Sequence, residues 1–127
     1  MTDDPFRLTL PELPPPLSAC FKNAEGRGRV KTARYRAWIG NATACIGALP
    51  HPMFDCPIQV TYTLVRPDKR TRDLDNLLKA LNDLLVSTNV IEDDSLIWDL
   101  RIRWAIHEQP LPVTVAIEEI VPTVGPR

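Results

Sequence analysis

Apolar and polar residues follow one another along this chain in two rhythms. Phe6, Leu8 and Leu10 alternate with Arg7 and Thr9, the signature of a short strand. From Tyr35 the apolar positions fall at three- and four-residue steps. Tyr35, Trp38, Ile39, Ala42, Cys45, Ile46 and Leu49 make one helical stripe, which Thr32 caps and Pro50-His51-Pro52 ends. Ile58, Val60, Tyr62 and Leu64 alternate with Gln59, Thr61 and Thr63, predicting a strand with one polar face. Leu74, Leu77, Leu78, Leu81, Leu84 and Leu85 form a second helical stripe, with Asp73 placed as its N-cap and Asn89 as its breaker. Trp98, Leu100, Ile102, Trp104 and Ile106 alternate with Asp99, Arg101, Arg103 and Ala105 in a strand from Leu96 to Ile106, whose tryptophans belong to a core or an interface. Val113, Val115 and Ile117 mark a last strand, and the stretch 122–127 is expected to be a loose tail.

The order strand, helix, strand, helix, strand, strand predicts an α+β fold: a small mixed four-stranded sheet with two helices packed on it. The length of 127 residues suits one domain spanning the whole of it. Thirteen prolines mark connections, and Pro11 to Pro16 force an irregular one. Gly26-Arg27-Gly28-Arg29 reads as a flexible basic loop, its glycines either admitting a phosphate close to the backbone or simply turning the chain. No apolar run reaches the length of a membrane span and no signal-peptide pattern opens the sequence. Cys20, Cys45 and Cys56 are odd in number and lack a C-x-x-C pair, which predicts reduced thiols and a cytoplasmic location. Cys45, His51 and Cys56 match no standard zinc spacing.

The net charge of −1 conceals its distribution. Between Lys22 and Arg36 lie Lys22, Arg27, Arg29, Lys31, Arg34 and Arg36 against a single acid, Glu25; between Arg66 and Arg72 lie Arg66, Lys69, Arg70 and Arg72 against Asp68. Such runs suit a polyanion. The second run leads straight into Asp73 and Asp75, and the acids Asp93 and Asp94 follow the leucine helix. Clustered carboxylates suit a hard cation such as Mg²⁺, so the combination points to a metal-dependent enzyme acting on nucleic acid. Lys79 shares a helix face with Asp75 and is placed to meet a phosphate. Taken singly, each feature has a plainer reading: a helix cap, a surface pair, a turn. A helix of roughly fifteen residues separates the two acid pairs by about 22 Å. They meet only if the fold returns Asp94 to the start of the helix, as antiparallel pairing of the strand ending at Val65 with the strand beginning near Leu96 could do.

Pro67-Asp68-Lys69-Arg70-Thr71-Arg72-Asp73-Leu74-Asp75-Asn76-Leu77-Leu78-Lys79, followed by Val90-Ile91-Glu92-Asp93-Asp94, resembles the RusA family of Holliday junction resolvases. Residue type and spacing agree over almost thirty residues. The likeness extends more weakly to Leu8-Thr9-Leu10-Pro11, the proline cluster and Gly26 to Thr32, although Ser18 stands where members often carry asparagine. The resemblance implies a homodimeric, Mg²⁺-dependent endonuclease, with Mn²⁺ as a substitute ion, that nicks four-way DNA junctions symmetrically. It assigns Asp73, Asp75 and Asp94 as metal ligands, Lys79 as the catalytic lysine, and Lys69, Arg70 and Arg72 as DNA-backbone contacts. Arg27, Arg29 and Lys31 join that DNA surface, with Asn76 and Asp93 in support. Two other readings remain open: a metal nuclease for other branched DNA or RNA, and a non-catalytic binder of DNA structures.

Overall fold

The strict alternation from Ile58 to Leu64 becomes the centre of the sheet. In this computed structural model, which describes residues 4–68 and 73–123, all four apolar members of that run are completely buried. The elements are β1 (Phe6–Leu10), β2 (Phe21–Ala24), β3 (Gly28–Lys31), α1 (Ala33–Gly47), β4 (Ile58–Leu64), α2 (Asp75–Ser87), β5 (Ile97–Trp104) and β6 (Val113–Glu119). The main sheet is mixed and four-stranded, in the order β1-β6-β4-β5, as the α+β reading requires. β6 runs antiparallel to both β1 and β4, whereas β4 and β5 run parallel, joined by a crossover through α2.

One face of the sheet is apolar. Val60, Tyr62 and Leu64 register with Ile117, Val115 and Val113 on one side and with Leu100, Ile102 and Trp104 on the other. Burying this face against helices removes much apolar surface from water, the main driving force for the fold. α2 contributes Leu77, Ala80, Leu81, Leu84 and Leu85; α1 contributes Tyr35, Trp38, Ala42 and Ile46. Leu49, assigned to the stripe of α1, lies beyond its last turn and is 72% exposed, because the helix stops ahead of Pro50. Tyr62 satisfies its buried hydroxyl by donating to Asn82 Oδ1 of α2 at 2.7 Å. Burial raises the Tyr62 phenol far above its ordinary pKa and pushes Tyr35 up to about 12.

α2 ends in a Schellman arrangement. Asn89, at φ 61°, gives its N–H to Val86, and Val90 gives its N–H to Leu85. The breaker expected at Asn89 is therefore the residue that takes the left-handed conformation. At the other end the expectation fails. Leu74, not Asp73, occupies the capping position, in helical geometry and with no side-chain cap. Asp73 instead offers its backbone carbonyl to the Asn76 N–H at 3.3 Å.

The basic loop expected around Gly26 is a hairpin. β2 and β3 pair antiparallel from Phe21 with Lys31 to Ala24 with Gly28, and Arg27 N–H closes the turn onto Ala24 at 3.0 Å. Gly26 and Gly28 sit at φ 75° and 69°, where a side chain is strained although a Cβ would meet nothing within 4 Å. Both glycines therefore take the turn conformation that the sequence allowed. In β5, the tryptophans divide: Trp104 is half-buried but Trp98 is 60% exposed, and Ile106 lies past the strand in solvent. Part of the tail from Pro122, residues 124–127, lies outside the described residues.

Candidate active site

The start of α2 and the proline-rich connector face each other across a cleft of ≈ 460 Å³. Pro14 and Pro16 form one wall, Asp73 and Asn76 another, and Arg34 and Trp104 complete it. Each wall has an identifiable support. Trp38 Nε1 donates to the Glu12 carbonyl at 3.0 Å, pinning the connector to α1. Thr32 caps α1 by accepting from the Tyr35 N–H, and its hydroxyl donates to the Ala19 carbonyl at 2.7 Å. That pair of bonds sets the direction in which α1 leaves the hairpin and places Arg34, in its first turn, on the cleft. The Cys20 thiol is pushed up by burial, with the Arg34 charge opposing the rise.

Asp73 and Asp75 are exposed, and neither makes an ion pair or side-chain hydrogen bond among the described residues. Freed from capping, their carboxylates offer only oxygen donors, the ligand type that a hard cation takes. Lys79 is one turn further on. It pairs forward with Asp83, Nζ to Oδ2 at 3.1 Å, rather than back to Asp75. Both partners are about half exposed, so water screens this pair and leaves the ammonium available to a stronger anion. Lys79 also lines a neighbouring recess of ≈ 390 Å³ with Leu17, Phe21 and Arg29. The Arg29 guanidinium lies 4.9 Å over the Phe21 ring, which holds it on the hairpin facing α2. Arg27 sits in the hairpin turn and Lys31 at its end, both exposed. Lys69, Arg70 and Arg72 lie outside the described residues.

The acids at the two ends of α2 do not converge within the chain. Because β4 and β5 are parallel, Ile97 at the start of β5 lies beside Ile58 at the start of β4. Asp94 is therefore at the sheet end opposite the one where β4 hands over to Asp73. α2, thirteen residues long, holds the two apart by about 20 Å. Among the described residues, no group of three potential metal-ligating side chains is assembled. The antiparallel pairing that could have returned Asp94 to Asp73 is absent, for a simple reason: a helical crossover connects parallel neighbours. Asp93 and Asp94 also differ. Asp93 Oδ2 accepts the Ser95 N–H at 2.9 Å, capping a single 3₁₀ turn at Asp94–Leu96, and these bonds hold its carboxyl below the usual range. Asp94 is exposed and makes no such bond among the described residues.

Sequence reasoning singled out Asp73 and Asn76 but not the other walls of the cleft. Arg34 was visible only as one basic residue beside a helical stripe, and nothing in the spacing of Pro14, Pro16 and Trp104 relates them to Asp73. Among the described residues, no helix is long and apolar enough to cross a membrane, and all three cysteines are free thiols.

Comparison with known proteins assigns these features a context. The sequence profile described as Endodeoxyribonuclease RusA matches residues 15–118, which include the whole cleft except Leu13 and Pro14. The chain is 32% identical over 97 residues to the crossover junction endodeoxyribonuclease RusA of Aquifex aeolicus, covering 76% of this chain and 77% of that one. It is 32% identical over 98 residues to the protein of the same name from Shigella sonnei, and 31% identical over 98 residues to that of Enterobacteria phage 82, in each case covering 76% of this chain and 80% of the relative.

Proposed function

The chain belongs to the RusA family of endodeoxyribonucleases, and from that premise we infer how it cuts DNA: as a crossover junction endodeoxyribonuclease, a resolvase of Holliday junctions, whose metal site is divided between two protomers. The observation that carries the division is the parallel pairing of β4 with β5, which sets Asp94 at the end of the sheet remote from Asp73 and Asp75. A second copy related by a two-fold axis can present the partner's Asp94 to Asp73 and Asp75, and the same operation builds a second, equivalent site. A symmetric four-way junction needs two such sites for paired nicks.

Asp73, Asp75 and the partner's Asp94 fit a Mg²⁺ ion, or Mn²⁺ in its place, because all three supply carboxylate oxygen and leave room for water. Held there, such an ion would supply Lewis-acid chemistry, lowering the pKa of a water and offsetting charge on a phosphate. The protein's own groups do the rest. Arg34 sets a permanent positive charge on the cleft wall across from Asp73 and draws a phosphate in. Lys79, released from its exposed pair with Asp83, neutralises charge that develops on the phosphoryl oxygens. Arg27, Arg29 and Lys31 on the hairpin extend the contact along a DNA arm, together with Lys69, Arg70 and Arg72. Asn76 gives the cleft a neutral donor, and Asp93 holds the 3₁₀ turn that carries Asp94.

Asp75→Asn decides whether these acids are catalytic. It keeps the side chain's shape and removes its charge, so the variant retains junction binding and loses nicking. Undiminished nicking by purified Asp75→Asn would remove the acids from the mechanism. A panel of labelled four-way, three-way, flap and linear DNA separates junction resolution from cutting of other branches: the resolvase reading requires paired cuts in the four-way substrate.

A further inference from the structure

We propose, resting on the reading that DNA is cut at Asp73 and Asp75, that the recess between the hairpin and α2 seats one unpaired nucleobase of the cleaved strand. The base stacks against the Phe21–Arg29 pair and so selects which phosphate reaches the acids.

The hairpin is mostly polar, yet it presents a ring. Phe21 stands opposite Lys31 in the pairing of β2 with β3, and Arg29 is two positions from Lys31 on the same strand. Phe21 and Arg29 are therefore diagonal neighbours on one face of the hairpin, which brings the guanidinium 4.9 Å over the ring. The ring is fixed from behind. It meets Tyr35 edge-on, with centroids 5.6 Å apart and planes at 71°. Tyr35 is buried and stacks at 20° on Trp38, so the support belongs to the core. Phe21 is half-buried and Arg29 exposed, and the pair reaches the surface already oriented.

Leu17, at the start of a 3₁₀ turn, and Lys79, on α2, complete the recess of ≈ 390 Å³. Its chemistry is mixed. A bare phosphate takes cations and hydrogen-bond donors and gains nothing from Leu17 or Phe21. An aliphatic ligand gains nothing from Arg29 or Lys79. A nucleotide uses both, with a flat base for the planar pair and phosphates for the cations. A base inside a duplex shows only its edges in the grooves, because its faces are covered by its neighbours. The occupant is therefore a base out of the stack. The branch point of a junction interrupts the stack, so extrusion is least costly there, whereas a linear duplex bears the full cost.

The place of the recess fixes which base it takes. Lys79 follows Asp75 by four residues, about 6 Å along α2. One DNA strand rises about 3.4 Å per nucleotide, so the seated base lies within about two nucleotides of the bond cut at Asp75.

Double-mutant cycles across protein and DNA test this. Four-way junctions carry an abasic nucleotide at each of the two positions on either side of the cut, one at a time. Junction affinity is measured in EDTA, and nicking at subsaturating enzyme is measured with Mg²⁺. At one position the abasic nucleotide lowers wild-type affinity, and nicking with it, by at least ~10-fold, as loss of a base–aromatic stack does. Phe21→Ala shows a similar loss on intact DNA and no further loss on that abasic junction. Phe21→Tyr, which keeps the ring, behaves as wild type. Circular dichroism checks folding, and Arg29→Ala, a change to an exposed side chain, gives the same non-additivity at the same position. Losses that simply add at all four positions overturn the proposal, as does a Phe21→Ala variant that binds and nicks as wild type. If the losses add while Asp75→Asn abolishes nicking, the recess is lost and the nuclease reading stands. If the cycle in EDTA shows the coupling and Asp75→Asn still nicks, the base site stands and the acids leave the mechanism.

Discussion

Mixing two inactive variants separates a divided site from one built within a single chain. Asp75→Asn and Asp94→Asn each remove a proposed ligand, so each homodimer is inactive. Carboxylate oxygens sharing one ion stand about 2 Å from it, hence roughly 3–4 Å from one another. Within the chain, α2 alone separates Asp75 from Asp94 by about 20 Å. If the partner closes that distance, a mixed dimer holds one site bearing both substitutions and one bearing neither. Random exchange at equal concentration makes half of the dimers mixed. About a quarter of all sites are then intact, and nicking returns to about a quarter of the wild-type rate. Paired resolution stays low, because no dimer has two intact sites. The assay is single-strand nicking of a labelled four-way junction, with differently tagged variants co-purified to verify exchange. Should verified mixed dimers show no nicking above the separate variants, each site lies within one chain and the argument from the parallel β4–β5 pair fails.

Three other outcomes follow from the geometry. Asn89→Val forces a β-branched side chain into a left-handed position and lowers stability in urea by about 1–2 kcal/mol, whereas Asn89→Gly is neutral or slightly stabilising. The raised phenols of Tyr35 and Tyr62 favour the neutral form in the folded state, so their stabilisation is complete below the unfolded value near 10.0; that of Tyr35 is lost as pH rises through about 12, and that of Tyr62 at higher pH still. Alkaline titration of the wild type therefore shows stability falling from pH 10.0 upward, and Tyr35→Phe flattens that fall. Arg29→Ala removes a phosphate contact from the hairpin; its binding to junction DNA weakens, and the slope of log affinity against log salt shrinks by about 1. An unchanged slope excludes Arg29 from the DNA surface.

What the sequence made legible follows the strength of its periodicities. The Ile58–Leu64 alternation named a buried strand because each apolar member packs on one face, and the leucine stripe of α2 was readable for the same reason. The N-cap assigned to Asp73 failed because capping depends on local backbone torsion, which Leu74 decides by entering the helix early. The hairpin at Phe21–Lys31 was hidden since its strands are short and mostly polar, leaving only the glycines of its turn visible. The pairing sense of β4 and β5 was beyond hydrophobic pattern altogether, although the crossover helix between them favours a parallel pair. That one uncertainty governed the site: residues could be assigned by type, whereas their distribution over two protomers required the topology.

The place of β1 in the sheet has a bearing on how the protein is made. Among the described residues its sole strand neighbour is β6, with Phe6 set against Ile117. The strand that leaves the ribosome first among the six thus waits for the one that leaves last, and more than a hundred residues must be synthesised in between. Until then β1 and β4 both lack the strand that lies between them, and the connector that walls the cleft has only one of its two anchors. The cleft wall formed by that connector is therefore anchored at both ends only once β6 has been made.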